Sequence, residues 1–239
     1  MPPRALRPVG VVLADKPAGP SSFALVADLR RRTKARTGHA GTLDPFATGL
    51  LVLLSGAATR LAPCFVGLDK RYVTDVELTA TTSTGDLTGE LGDEHDAPTP
   101  AGLEAAVDRL RGEVELPIPA VSAVKIDGER AYRLARRGVA VAMPLRRSAI
   151  HSLEVVSYTG TVARLALHVG SGTYVRALAE ALGGHCVALR RTAVGPFSVD
   201  EASDRLIPVS EALGRLPREA VERVAPGIRA AVLELAGAA

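Results

Sequence analysis

Gly38-His39-Ala40-Gly41-Thr42-Leu43-Asp44-Pro45 sets a carboxylate and an imidazole into a stretch whose glycines and proline exclude regular helix or strand, so it must be a loop. A loop carboxylate can act as a nucleophile or a base. An isolated Leu-Asp-Pro, however, is far more often an ordinary turn than a catalytic group. His39 has no second His or Cys at ligand spacing, so no metal site is expected. Cys64 and Cys186 lie far apart and outside any CxxC pair, which reads as two buried free thiols rather than a disulfide. Gly170-Ser171-Gly172-Thr173 before a helix could cradle a phosphate. It lacks the Gly-Lys-Ser/Thr of a P-loop, and GxG alone is a weak signal for a nucleotide-binding enzyme.

The elements that must position these groups follow from pattern. Val9–Ala14 is a short β-like run, ended by the turn chemistry of Asp15-Lys16-Pro17-Ala18-Gly19-Pro20. Ser21 or Ser22 can cap a helix to about Ala35, with Phe23, Leu25, Val26 and Leu29 on its apolar side and a cationic end from Arg30 to Arg36. After the Asp44 loop the apolar run from Ala47 to Leu54 suggests a buried helix. Tyr72–Ala80 alternates as a strand, Thr82–Pro98 has the composition of a solvated acidic loop, and Thr99-Pro100 opens a helix that ends before Gly112. A short helix is expected over Glu129 to Arg137. Ile150–Tyr158 and Val162–Val169 read as paired strands, Thr173 to Leu182 as a helix, Val194–Val199 as a last strand broken by Gly195-Pro196, and the chain from Pro208 as helical. Long connections between strands and helices imply an α+β fold on a mixed sheet.

Composition narrows the function classes. The chain has 239 residues, 47% of them apolar and 23% charged, which suits a globular protein of one large domain with or without a small appendage. Its longest stretch without a charge or His, Pro45 to Thr59, is too short to span a bilayer, and no signal peptide is visible, so a cytoplasmic protein is expected. Net charge is only +3, but residues 1–72 hold 11 Lys/Arg against 4 Asp/Glu, residues 73–115 hold 2 against 11, and residues 116–200 hold 11 against 5. Two basic blocks around an acidic one suit a polyanionic partner.

The twelve residues from Gly38 to Gly49 resemble the GH(T/A)GTLDPxATG motif of the TruB family of tRNA pseudouridine synthases. Further motifs follow in the family's order: Val11–Ser22 resembles LLxDKPxGxTS, and Asp69-Lys70-Arg71-Tyr72 resembles DKxY. Val121 to Lys125 with Arg130 to Arg136 is similar to SAxK…RxYxLAR. Ser171 to Arg176 and Leu189-Arg190-Arg191-Thr192 complete the set, so the resemblance covers residues 9–200.

The resemblance implies a pseudouridine-synthase-like α+β fold, with a mostly antiparallel mixed sheet flanked by helices and loops. It implies isomerisation of the T-loop uridine of tRNA, position 55, without metal, nucleotide or redox cofactor. Asp44 would be the catalytic carboxylate, because a sugar-centred cation must be captured or relieved of a proton while the base is detached. Arg176 would balance that carboxylate in a dry pocket. Tyr72 would stack on the flipped uracil, Tyr174 and Leu189 would wall the pocket, and His39 would fill the gap left in the RNA. Lys16 would support the site or touch phosphate. Arg30, Arg31 and Arg32, with Lys125, Arg130, Arg133, Arg136 and Arg137, would follow the RNA backbone. The partner implied is the tRNA T-arm, bound by a monomer with no obligate protein partner and no membrane.

The expected organisation is a catalytic domain over 1–205, with an RNA-contacting insertion at about 117–147, then a short segment over 206–239. That tail is shorter than the RNA-binding or PUA domain common in the family. An RNA-binding module without catalysis is one alternative, disfavoured by intact Asp44, Tyr72 and Arg176. A guide-RNA-dependent subunit of the H/ACA type is another, disfavoured by the short tail.

Overall fold

The computed structural model describes residues 8–122, 124–126, 128–137, 139 and 142–237. In chain order the elements are β1 (Gly10–Lys16), α1 (Ser22–Thr33), β2 (Thr37–His39), β3 (Thr48–Ser55), α2 (Ala62–Val66) and β4 (Lys70–Glu77). Next come β5 (Ala80–Thr82), β6 (Leu91–Glu94), α3 (Pro100–Arg109), β7 (Gly112–Pro117), β8 (Lys125–Ile126), β9 (Glu129–Arg130) and α4 (Ala131–Arg136). The rest are β10 (Leu145–Tyr158), β11 (Val162–Val169), α5 (Val175–Ala181), β12 (His185–Val194), β13 (Phe197–Ser198), α6 (Val209–Gly214), α7 (Arg218–Val221) and α8 (Pro226–Gly237). Two compact units result: one takes the chain up to Tyr72 and from Arg190 onward, the other Val73–Leu189.

In the first unit β3 is the central strand. It pairs antiparallel with β1, from Gly10↔Ser55 to Lys16↔Gly49. It also pairs antiparallel with β2, at Thr37↔Ser55 to His39↔Leu53, and parallel with β12 at Arg190↔Thr48 and Arg191↔Gly49. The helix expected over Ala47 to Leu54 is therefore a strand. Residues Gly49–Ser55 are all buried, and a strand covered on both faces reads as a continuous apolar run, which periodicity alone does not separate from a buried helix. The loop expected from Gly38 likewise begins one element later, since Thr37–His39 is strand. Helix α1 starts where the caps say: the Ser21 side chain accepts from the Ala24 N–H, and Lys34, at φ 54, closes the helix. Val26 and Leu29 are buried, but Phe23, expected on the apolar side, is 69% exposed.

The core of this unit joins β1 and β3 (Val11, Leu13, Leu50, Val52, Leu54) to α2 and to the C-terminal helices through Phe65, Phe197, Val209, Leu213, Val224 and Val232. The Phe65 and Phe197 rings lie 5.9 Å apart. Val194 ends β12 and Phe197–Ser198 forms β13, paired back on it at Ala193↔Ser198 and Val194↔Phe197, so Gly195-Pro196 turns the chain between two antiparallel strands rather than interrupting one.

In the second unit β7, β10 and β11 form an antiparallel run, with irregularities in β10 between Ile150 and Ser152 and between Val155 and Ser157. The sheet continues to β4, which alternates with Thr74 and Val76 buried. Helix α3, capped by Thr99 and carrying buried Leu103 and Val107, packs on β10. The acidic stretch expected as a solvated loop from Thr82 holds β6, which pairs back on β5, and Asp86 within it is only 5% exposed. Both cysteines are free and buried. Among the described residues no helix is long and apolar enough to cross a membrane.

Candidate active site

Asp44 is half-buried at the tip of the loop that joins β2 to β3, and three buried polar side chains fix that loop. The Ser22 hydroxyl, at the start of α1, donates to the Leu43 carbonyl and accepts from the Leu43 N–H, each at 2.8 Å. The Lys16 ammonium, at the end of β1 and 0% exposed, donates to the carbonyls of Pro17 (2.9 Å), Pro45 (3.1 Å) and Ala47 (2.7 Å). Arg191, on β12 and 1% exposed, donates to the carbonyls of Leu50 (2.7 Å), Gly41 (3.0 Å) and Thr42 (3.4 Å). Carbonyls of the loop and of the residues flanking it are thus bonded by two buried cations, which in turn satisfies those cations, as buried polar groups require.

The geometry bears on the two roles expected of Lys16, support of the site or contact with phosphate. Lys16 braces the loop and is not available to an RNA phosphate. Burial pushes its ammonium below the ordinary lysine pKa, and the Asp44 carboxylate opposes that shift. Gly49 is the tight point of the same brace: it sits at φ +100, and a Cβ there would lie 2.2 Å from the Arg191 carbonyl oxygen. His39, half-buried on β2, has its pKa lowered, first by burial and then by Arg191, and its Nδ1 has no hydrogen-bond partner among the described residues. Both causes favour the neutral form of the imidazole. Tyr72 is buried on β4, two residues after Lys70, whose ammonium caps the carbonyls of Val66 (2.7 Å) and Leu68 (2.6 Å). Burial is the first cause that pushes Lys70 down to about 8, with Arg191 adding to it.

In the second unit Tyr174 and Arg176 stand at the start of α5. The Arg176 guanidinium, 3% exposed, donates to the carbonyls of Thr84 (2.6 Å) and Val121 (2.9 Å), and its Nε lies 3.7 Å from Asp86. Asp86 is itself held by the Thr84 hydroxyl (2.9 Å) and by the Thr88 N–H (2.9 Å) and hydroxyl (2.5 Å). Arg176 is thus a fixed buried cation rather than a helix-surface arginine. The Arg146 guanidinium lies 5.7 Å from the Tyr174 ring centroid, and Leu189 is buried on β12.

The expected backbone contacts divide. Lys125, Arg130, Arg133 and Arg137 are exposed, Arg137 in an ion pair with Glu129 at 2.8 Å, while the Arg136 side chain lies outside the described residues. Arg30, Arg31 and Arg32 are exposed at the end of α1. There Arg31 pairs with Asp28 at 2.9 Å and Arg32 with Asp204 at 2.7 Å.

The family model for the TruB family pseudouridylate synthase N-terminal domain matches residues 30–175. The chain belongs to the TruB family. It is 40% identical over 204 residues to a protein of Bordetella avium (strain 197N) named tRNA pseudouridine synthase B, covering 81% of this chain and 84% of that one. A protein of the same name from Arthrobacter sp. (strain FB24) is 44% identical over 208 residues, covering 81% and 68%. Among solved structures, one of a Cbf5-Nop10-Gar1 complex superposes with a TM-score of 0.62 at 29% identity. It covers 80% of this chain and 50% of that chain, so this TruB-family protein spans about half the length of that neighbour. The likeness bears out the pseudouridine-synthase fold.

Sequence reasoning about this TruB-family chain missed Arg191, Ser22 and Asp86. Arg191 had a usable signal: in the period-2 alternation of β12 it shares the buried side with Leu189. Ser22 and Asp86 had none, because their partners lie 21 and 90 positions away in sequence, at Leu43 and Arg176.

Proposed function

We propose that the chain isomerises a uridine of tRNA to pseudouridine, and that the uridine is the T-loop one at position 55. The observation that carries this reading is the Asp44 loop, a carboxylate fixed by Lys16, Ser22 and Arg191 within the family's motif. The N-glycosidic bond breaks, Asp44 captures the sugar cation or removes a sugar proton, the uracil turns over, and its C5 bonds to the same ribose carbon with loss of the C5 proton. Reactant and product are isomers, so the balance calls for no co-reactant. Tyr72 stacks on the flipped base, Tyr174 and Leu189 wall it, and Arg176 supplies a fixed cation. Neutral His39 enters the vacated RNA stack without the cost of desolvating a cation. Exposed Lys125, Arg130, Arg133 and Arg137 contact the phosphates of the T-arm.

The guide-RNA alternative has less support, since identity to the Cbf5 structure is 29% against 40–44% for the proteins named tRNA pseudouridine synthase B. The deciding experiment maps pseudouridine in unmodified tRNA transcripts incubated with the purified protein. Pseudouridine at the T-loop uridine alone is expected. Its absence there, or its formation only at other positions, overturns the reading.

A further inference from the structure

The C-terminal half of α1 borders an open cavity of about 760 Å³ whose wall includes Arg30, Arg31, Lys34, Arg36 and Thr37. Arg31 is engaged by Asp28. Arg30, Lys34 and Arg36 are exposed and meet no carboxylate among the described residues. Three unpaired cations around a concavity cost electrostatic energy that an anion would relieve. At about 100° per residue Phe23 and Arg30 lie within about 20° of each other around α1, both exposed, and Lys34 follows at the helix's C-cap. Phe23, one of only four phenylalanines, is 69% exposed. One solvent-facing stripe therefore carries an aromatic face at one end and unpaired cations at the other, a combination suited to stacked bases and their phosphates. From Phe23 to Lys34 it spans roughly 16 Å, about five nucleotide steps of a stacked strand. Thr37 on the cavity wall opens β2, which reaches His39 two residues later, about 7 Å along the strand.

We propose that this face of α1 is a second RNA-binding track, with backbone phosphates held in the cavity by Arg30, Lys34 and Arg36 and a base stacked on Phe23. It rests on the RNA substrate of the reading above and adds where the strand flanking the His39 nucleotide runs. Arg32 is outside the track, since Asp204 and Asp28 already engage it.

The test titrates a labelled, unmodified T-arm hairpin by fluorescence anisotropy between about 50 and 200 mM salt. Replacing Arg30, Lys34 and Arg36 together by Gln should weaken binding by at least about tenfold and flatten the log–log salt slope by about two, at roughly 0.7–0.9 for each phosphate no longer neutralised. Phe23→Ala should weaken binding by roughly 5- to 100-fold without changing that slope, and Phe23→Trp should restore it. The double variant Arg205→Gln/Arg218→Gln, which removes paired surface cations elsewhere, should keep the wild-type slope. Thermal melts of every variant check that the fold is intact. A triple variant with wild-type slope and affinity overturns the phosphate site, as does an equal weakening in the Arg205/Arg218 control. Wild-type binding by Phe23→Ala overturns the stacking role. Binding is read without turnover, so a wild-type protein that binds as described but makes no pseudouridine would sink the functional reading and leave this one standing.

Discussion

Replacing Arg191 should be more damaging than its distance from any reacting atom suggests. The guanidinium is enclosed and makes two firm bonds, to Leu50 and Gly41, and a longer one to Thr42. A hydrogen bond from a charged donor contributes about 1.5–3 kcal/mol, so two firm ones amount to about 3–6 kcal/mol. Removing the cation also removes its own desolvation cost, which offsets part of that loss. Arg191→Met is therefore expected to cost about 2–4 kcal/mol of stability, a Tm drop of roughly 5–15 °C at this chain length. Arg191→Lys, which keeps the charge but not the fork that reaches several carbonyls, should fall between the two. The loop deprived of its brace carries Asp44, and a displacement of about 1 Å can cost on the order of a hundredfold in rate. Single-turnover kinetics at a temperature where the variant is fully folded should thus show the chemical step slowed with RNA affinity nearly unchanged. A folded Arg191→Met protein within about 0.5 kcal/mol of wild type, with a chemical step within about threefold, would refute the bracing argument.

Three further outcomes are expected. Asp44→Asn should leave folding and tRNA binding nearly intact and slow pseudouridine formation by at least about a hundredfold, on the order of 3 kcal/mol; turnover within about tenfold of wild type would remove Asp44 from the catalytic role. Tyr72→Phe should bind and turn over well if only stacking matters, but bind well and turn over poorly if the hydroxyl helps move the C5 proton; near-wild-type turnover by both Tyr72→Phe and Tyr72→Ala would sink both roles. Lys70, held at about 8 in the fold against about 10.5 in the unfolded chain, binds fewer protons when folded than when unfolded across that interval. Its burial penalty is thus full below pH 8 and relieved as pH rises toward 10.5. Wild type should gain up to about 3 kcal/mol of stability relative to Lys70→Met between pH 8 and 10.5, read by denaturant titration, and a difference independent of pH would contradict it.

What the sequence made legible were local patterns. Ser21 and Thr99 announce their helices by capping chemistry that acts within three residues, and both start where expected. The β10–β11 pair is bounded by alternation and by Thr159-Gly160. The Asp44 loop is legible as a motif because its glycines and prolines each meet a steric demand nearby. What stayed hidden depended on distance. Nothing within Ala47 to Leu54 distinguishes a buried helix from a strand, because the deciding partners are β1, over thirty positions earlier, and β12, about 140 positions later.

The polar interior was hidden for the same reason, and it bears most directly on function. Lys16 and Arg191 look like surface or phosphate-binding cations in a basic chain, yet both are consumed by carbonyls of the loop they flank. Asp86 looks like one more charge in an acidic segment and instead meets Arg176. Buried cations satisfied mainly by carbonyls are costly, since each gives up hydration for neutral dipoles. A hydrophobic brace would hold the chain at lower cost, but it could not pin several individual carbonyls and so fix where the carboxylate between them points. The stability given up at Lys16 and Arg191 is thus the cost of orientation at Asp44. Apolar replacements at these two positions should therefore lose more in rate than their stability losses alone would explain.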